Sequence, residues 1–337
     1  MPNTAYLSAN SIHALAKETT RGTLPVAGAV FLPVLTPAMT PNATFLQDEA
    51  LRGSPVLVYD EVQGVYHTEY DAKYPIYADT FPNLLVAVLG STDAVTGASP
   101  YTHVIGVLNS ASTGSQPPSY SLLHFDGANY FTMTGGQMAS LDLQFSSEQT
   151  ADATVKWIAN PYVSATTAPA PFTSTSFSTE AMVPGWSVAV SIASTSLAYI
   201  ASGNIMIDRK TKSIFTEGSL SPYLNFAGPI EVTGKLTGLI ASNSDAWSTG
   251  TTAQALTRSP QAVVVTFTDT NDQTAATNHS VSFTMTSTQL KMPKRIIAKE
   301  YTEVEVEFTA RANATDAISG YAPIKSTSIN GQSATYN

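Results

Sequence analysis

Pro82 and Gly90 bracket the one stretch of this chain that reads as helix. Before it, Gly64–Tyr77 is rich in Tyr, Val and Ile and reads as extended strand. Then the period changes. Asp79 or Thr80 is placed to cap the free N–H groups of a first helical turn, and Pro82 sits where a helix start tolerates it. Asn83–Leu89 is a short apolar turn or two, and Gly90 suits a left-handed stop. Around this segment nearly everything reads as strand and turn. A chain with a single short helix must bury its apolar residues between sheets.

The composition agrees. Only 12% of the 337 residues are charged, and 20 Pro and 20 Gly suffice to punctuate many short strands. The absence of cysteine excludes disulfides and thiolate zinc sites. No window has the length of a membrane span, and the N-terminus lacks the basic and apolar regions of a signal peptide.

Along the chain, Ala9–Lys17 is expected as a helical turn or an arm, and Pro55–Asp60 as a strand. Ser91–Ser99 is expected as a loop. Asp126-Gly127 signals a hairpin between Tyr120–Phe125 and Tyr130–Met133. Met138–Phe145 alternates and should pair antiparallel with Thr154–Ile158. Val163–Pro184 is Ser/Thr/Ala/Pro-rich and reads as a linker. A second series then repeats the order of the first. Ile230–Ile240 stands for the Tyr-rich strand, Asn243–Gly250 for the short helix, Ala262–Thr268 for Ser119–Phe125, and Thr288–Asn313 for Met138–Asn160. The expected division is residues 1–162 with an N-terminal arm, a linker at 163–184, and a second unit at 185–337.

Catalytic signatures are missing. The sequence has no HExxH, no GxSxG, no P-loop and no dinucleotide GxGxxG, so no catalytic, cofactor-binding or metal residues are assigned. His13, His67, His103, His124 and His279 are expected as surface residues rather than ligands. Glu303, Glu305 and Glu307 share one face of a strand, and three like charges at that spacing need a balance. Lys291, Lys294, Arg295 and Lys299 lie just upstream as candidates for ion pairs between strands or subunits. The net charge is −9, and it is uneven. Residues 1–165 hold 5 Lys/Arg against 13 Asp/Glu, and residues 166–337 hold 11 against 12. Such a chain is a poor phosphate gripper.

Leu15–Thr23 (LAKETTRGT), the Arg52-Gly53-Ser54 turn and Tyr74–Gly90 (YPIYADTFPNLLVAVLG) resemble, in that order, the tail tube proteins of long-tailed, non-contractile bacteriophages. The closing strands within Phe131–Asn160 are similar too. The resemblance implies an all-β chain of two tandem β-sandwich or barrel units, each with a short flanking helix. It implies rings with an inner β-barrel, stacked into a virion tail through which double-stranded DNA passes without specific binding. Three two-domain chains would make a pseudo-six-fold ring, with the tape measure, tail terminator and distal tail proteins as further partners. The acidic candidates for the lumen wall are Glu69, Asp71, Asp142, Glu231, Glu303, Glu305 and Glu307. The rival reading is a sugar- or host-surface-binding β-sandwich of a phage fibre or adhesin, in which the Tyr-rich stretch would be a binding platform. A β-rich hydrolase is the third and has no motif behind it.

Overall fold

The computed structural model describes residues 7–90, 93–109, 114–240, 255–269, 278–297 and 301–336. The chain is 52% strand and 6% helix, so sheet pairing decides the architecture. The strands of the first half are β1 (Ile12–Lys17), β2 (Ala29–Leu32), β3 (Ala38–Asp48), β4 (Asp60–Pro75), β5 (Ala94–Thr96), β6 (Tyr101–Gly106), β7 (Tyr120–Phe125), β8 (Tyr130–Ser146), β9 (Asp152–Ala159) and β10 (Val163–Ala165). Helix α1 (Phe81–Leu89) lies between β4 and β5. The second half holds β11 (Ala189–Ile192), β12 (Thr195–Ser196), β13 (Ile200–Asp208), β14 (Lys212–Ile214), β15 (Leu224–Phe226), β16 (Glu231–Leu239), β17 (Gln261–Thr268), β18 (Ser280–Leu290), β19 (Lys294–Ile297), β20 (Thr302–Ala310) and β21 (Lys325–Asn330).

One antiparallel row runs β3–β4–β9–β8–β13–β16–β20, closed on the far side of β20 by β19 and the end of β18. A second row runs β12–β11–β17–β18–β21–β6–β5. A third runs β2–β1–β7–β8–β10. Strands β8 and β18 each serve two rows, one with each end. The order β2–β1–β7–β8 with β3–β4–β9–β8 matches β12–β11–β17–β18 with β13–β16–β20–β18. The halves are also joined to each other. Ser140–Ser146 of β8 pairs with Ser202–Asp208 of β13, and β21 pairs with β6.

The core lies between the rows. Phe145 on β8 meets Phe267 on β17 edge to face at 5.7 Å, and Phe81 on α1 meets Phe283 on β18 at 6.5 Å. Helix α1 forms where expected, but its start differs. Thr80 is the N-cap residue without a side-chain cap bond, and Asp79 accepts from Ser178 Oγ instead. Asn83 Nδ2 donates to the Thr80 carbonyl at 2.9 Å. Gly90 takes φ 89°, and its N–H donates to the Val86 carbonyl. A Cβ there would lie 2.9 Å from Pro117, so the turn needs glycine twice over.

Three sequence expectations are corrected. Of Ala9–Lys17, only Ala9 and Asn10 belong to a helical turn, the 3-10 turn Ser8–Asn10, and Ile12–Lys17 is a strand. Leu15 enters one core cluster and Ala14 and Ala16 another, so both faces are apolar and no alternation is visible. Pro55–Val58 is no strand, because β3 ends at Asp48 opposite Asp60 and leaves it no partner. Ala94–Thr96, read as loop, pairs with β6. The Val163–Pro184 linker is anchored: it supplies β10, buries Phe172 and Val183, and bonds Val183 N to the Ile76 carbonyl. The expected helix at Asn243–Gly250 falls outside the described residues.

Candidate functional site

Strand register puts the seven candidate acids on one face of the long row. Residues directly opposite in antiparallel neighbours project to the same side. Asp71 faces Lys156, Glu69 faces Ile158, and Thr154 faces both Lys73 and Asp142. Asp142 faces Met206, and Asp208 faces both Ser140 and Glu231. Lys235 faces Asn204 and Glu307, Thr237 faces Glu305, and Leu239 faces Glu303. The opposite side of the same strands carries Tyr70, Leu141, Val155, Ile205, Leu236 and Val306, all buried.

This polar face is tiled with ion pairs. Lys73 reaches Asp152 at 2.9 Å, Lys156 reaches Glu69 at 2.6 Å, and Lys210 reaches Glu231 at 2.5 Å. Lys235 reaches Glu305 and Lys291 reaches Glu307, each at 2.7 Å. The three like charges on β20 are thereby partly balanced within the chain. Lys294 sits opposite Glu305 and shares its face, whereas Arg295 pairs with Val304 and belongs to the other side. Lys299 lies outside the described residues. Partial burial pushes the Glu69 carboxyl up, but the Lys156 hydrogen bond and charge, with His67, hold it below the usual range. Asp71 lacks such a bond, and burial pushes it up. Asp142 accepts from Asn204 Nδ2 at 3.0 Å and Gln144 Nε2 at 2.7 Å.

Both ends of the row are open. Among the described residues no strand pairs with the outer side of β3 or with the outer side of β19. No group of three or more His, Asp or Glu able to hold a metal occurs among them either. No helix there is long and apolar enough to cross a membrane. A broad, ion-paired face with free sheet edges is equipment for assembly, and a family model of phage tail tube proteins matches residues 8–310. The chain belongs to the phage tail tube protein family. No curated protein matches it. It is a structural component of the virion tail, not an enzyme, and the family implies self-polymerisation.

Within this tail tube protein, the sequence motifs that carry the family likeness are structural anchors. Glu18 is buried, and its carboxylate takes four bonds: from Gly22 N and Ser119 Oγ on Oε2, and from Ser121 Oγ and Gly135 N on Oε1, all within 2.7–2.8 Å. Arg21 donates to the carbonyls of Asn225 and Pro117. Asn225 returns a bond to the Gly135 carbonyl, tying the second half to the first. Arg52 caps the β3–β4 ribbon by pairing with Asp48 and lying 4.7 Å over the Tyr59 ring. Glu18, Arg21 and Arg52 lie within those motifs, whereas no local pattern marks Asn225.

The histidines also differ from expectation. His13 is fully buried and stacked at 4.8 Å on Tyr70. His103 is fully buried between Asp93, 2.5 Å from Nδ1, and the Gln332 carbonyl, 2.8 Å from Nε2. His13 is held by packing against β4 and His103 by partners distant in sequence, which a single strand's pattern does not reveal.

Proposed function

We propose that the chain is a double tail tube subunit, two tandem units at 1–162 and 185–337 joined by 163–184, and that three chains close one ring. What supports the tandem reading is the matching strand order of the halves in both rows. What supports the ring is the β8–β13 junction, where one half's row continues into the other's. Between chains the corresponding junction joins β3, the match of β13, to the open edge of β19, which continues along β20 from the end of β18. Three chains of eight row strands give about 24 strands, enough to enclose a water-filled lumen. Closure removes every free edge of the row.

The polar face then lines the lumen, with Glu69, Asp71, Asp142, Glu231, Glu303, Glu305 and Glu307 on the wall. Ion pairing moderates the wall without making it basic, so DNA phosphates meet few uncompensated cations and slide. The tape measure, tail terminator and distal tail proteins are the further partners that a stacked tube requires. Cryo-electron microscopy of assembled tubes tests this directly. Three chains per ring with this face inward are expected. Six chains per ring, or the second half outside the barrel, would replace the reading with a one-domain tube that carries an outer decoration.

A further inference from the structure

Asp142 sets the direction of two amides. An ionised carboxylate only accepts hydrogen bonds, and this one takes one from Asn204 Nδ2 and one from Gln144 Nε2. Each amide therefore turns its nitrogen to Asp142 and its oxygen away. Beyond them lies a recess of about 380 Å³, lined by Gln144, Asn204, Ser146, Ser202 and Asp152 but not by Asp142. Asp152, Gln144 and Asn204 are direct neighbours across β9, β8 and β13, about 5 Å apart at their Cβ atoms. The recess thus sits on the polar face, where the strands of the two halves meet.

Asp152 supplies its charge. The residue is only 6% exposed. Its Oδ2 takes the Lys73 ammonium at 2.9 Å, while Oδ1 is buried and has no hydrogen-bond partner among the described residues. A buried carboxylate oxygen without a donor is costly. Lys235, next in the same cross-strand row, does not supply one, because its Nζ is turned to Glu305 at 2.7 Å. Three acceptors therefore converge on the recess: Asp152 Oδ1, Gln144 Oε1 and Asn204 Oδ1. Together they carry one negative charge.

That set matches a primary ammonium, which has three N–H donors and one positive charge. A hard metal ion suits it less. Asp152 is the only carboxylate lining the recess, and no metal-holding group of three His, Asp or Glu occurs among the described residues. The volume also exceeds one ammonium and leaves room for a carbon chain beside the hydroxyls of Ser146 and Ser202.

We infer that this recess binds a small primary amine, of the diamine and polyamine class that condenses on DNA as counterions. The bound ammonium ties β8 and β9 of the first half to β13 of the second. The whole site lies within one chain, so it does not rest on the ring reading above.

Calorimetric titration of the full chain with putrescine or spermidine at low salt tests this. One saturable site per chain is expected, and the melting temperature should rise with amine concentration. Tetramethylammonium has the same charge without N–H donors and should bind at least about tenfold more weakly, as should Mg²⁺. Asp152→Asn should weaken putrescine binding at least about tenfold. That change also strips Lys73 of its partner, so two further variants separate binding from folding. Gln144→Leu alters an exposed side chain and removes one acceptor, and should cost about fivefold in affinity with the amine-free melting temperature unchanged. Lys73→Met leaves the carboxylate in place and should bind putrescine at least as tightly as wild type. Absence of a saturable site, tetramethylammonium or Mg²⁺ binding as tightly as putrescine, or full affinity in Gln144→Leu would each overturn the assignment.

Discussion

Arg209 and Leu89 are 120 residues apart in sequence and 2.9 Å apart in space. The guanidinium Nη2 donates to the Leu89 carbonyl, and Nε donates to the Val88 carbonyl at 2.7 Å. These carbonyls end α1, where a helix has free acceptors and a partial negative charge. Arg209 is 4% exposed, and burial pushes its pKa down to about 10. The cation still stands at neutral pH, stabilised by the helix end. Arg209→Ala should cost about 2–4 kcal/mol in urea unfolding of the unassembled chain, because the Val88 carbonyl loses its donor and the Leu89 carbonyl keeps only Leu108 N. Arg209→Lys should restore little, since a single ammonium does not reproduce the planar fork. A full rescue by lysine would show that charge alone matters there.

Helix α1 was readable because its stop is local: Gly90 needs a positive φ and adopts 89°. The Met138–Phe145 and Thr154–Ile158 pairing was readable because alternation marks a half-buried strand. The common face of Glu303, Glu305 and Glu307 followed from spacing alone. What escaped was everything fixed by a second sheet. Strand β8 belongs to two rows, and nothing in its sequence says where it passes from one to the other. Strand β1 is apolar on both faces, so it mimicked a helical turn. The Ser/Thr-rich segment near Phe172 looked like a tether, because one buried phenylalanine does not register in composition.

Glu18 supplies a second test. Its four hydrogen bonds converge from Ser119 and Ser121 at the start of β7, the Gly22 turn and Gly135. Gly135 has φ 62°, and a Cβ there would lie 2.8 Å from Asn160 Nδ2. Glu18→Ala should lose about 3 kcal/mol or more, since several buried donors are left unmatched. Gly135→Ala should lose about 1–3 kcal/mol from backbone strain and the clash. Thermal unfolding of each variant at neutral pH measures both. A Glu18→Ala chain as stable as wild type would mean that the donors find other acceptors.

Acid sensitivity should originate partly at His13. Burial, then the nearby His124, holds its pKa down to about 3 against 6.5 for a free imidazole. Tyr70 and Tyr74 cover the ring and offer no counter-charge. Between these two values the unfolded chain takes up a proton that the folded chain refuses. Stability is therefore complete above about pH 6.5 and drains away as pH falls toward 3, by up to about 1.4 kcal/mol per pH unit. His13→Leu should flatten the pH 5–6.5 portion of the stability curve by close to one proton. Equal slopes in the two proteins would assign the acid loss to carboxylates elsewhere.

The polar face makes the last prediction, and the choice of residues matters. Reversing Glu69, Glu305 or Glu307 breaks an ion pair and mixes stability with charge. Asp71 and Glu303 have no lysine within ion-pair distance among the described residues, so their reversal changes the wall with little cost to the fold. With three chains per ring, Asp71→Lys with Glu303→Lys adds six cations per ring, each in reach of passing phosphate. Tubes should form at wild-type yield, while DNA ejection from phage carrying the variant should slow several-fold. Raising the salt should restore the rate, because phosphate contacts weaken steeply with ionic strength. Lysine reversal at exposed Glu217, which lies off this row, should leave ejection unchanged. Ejection at the normal rate from the double variant, in low salt, would place this face on the outside of the tube.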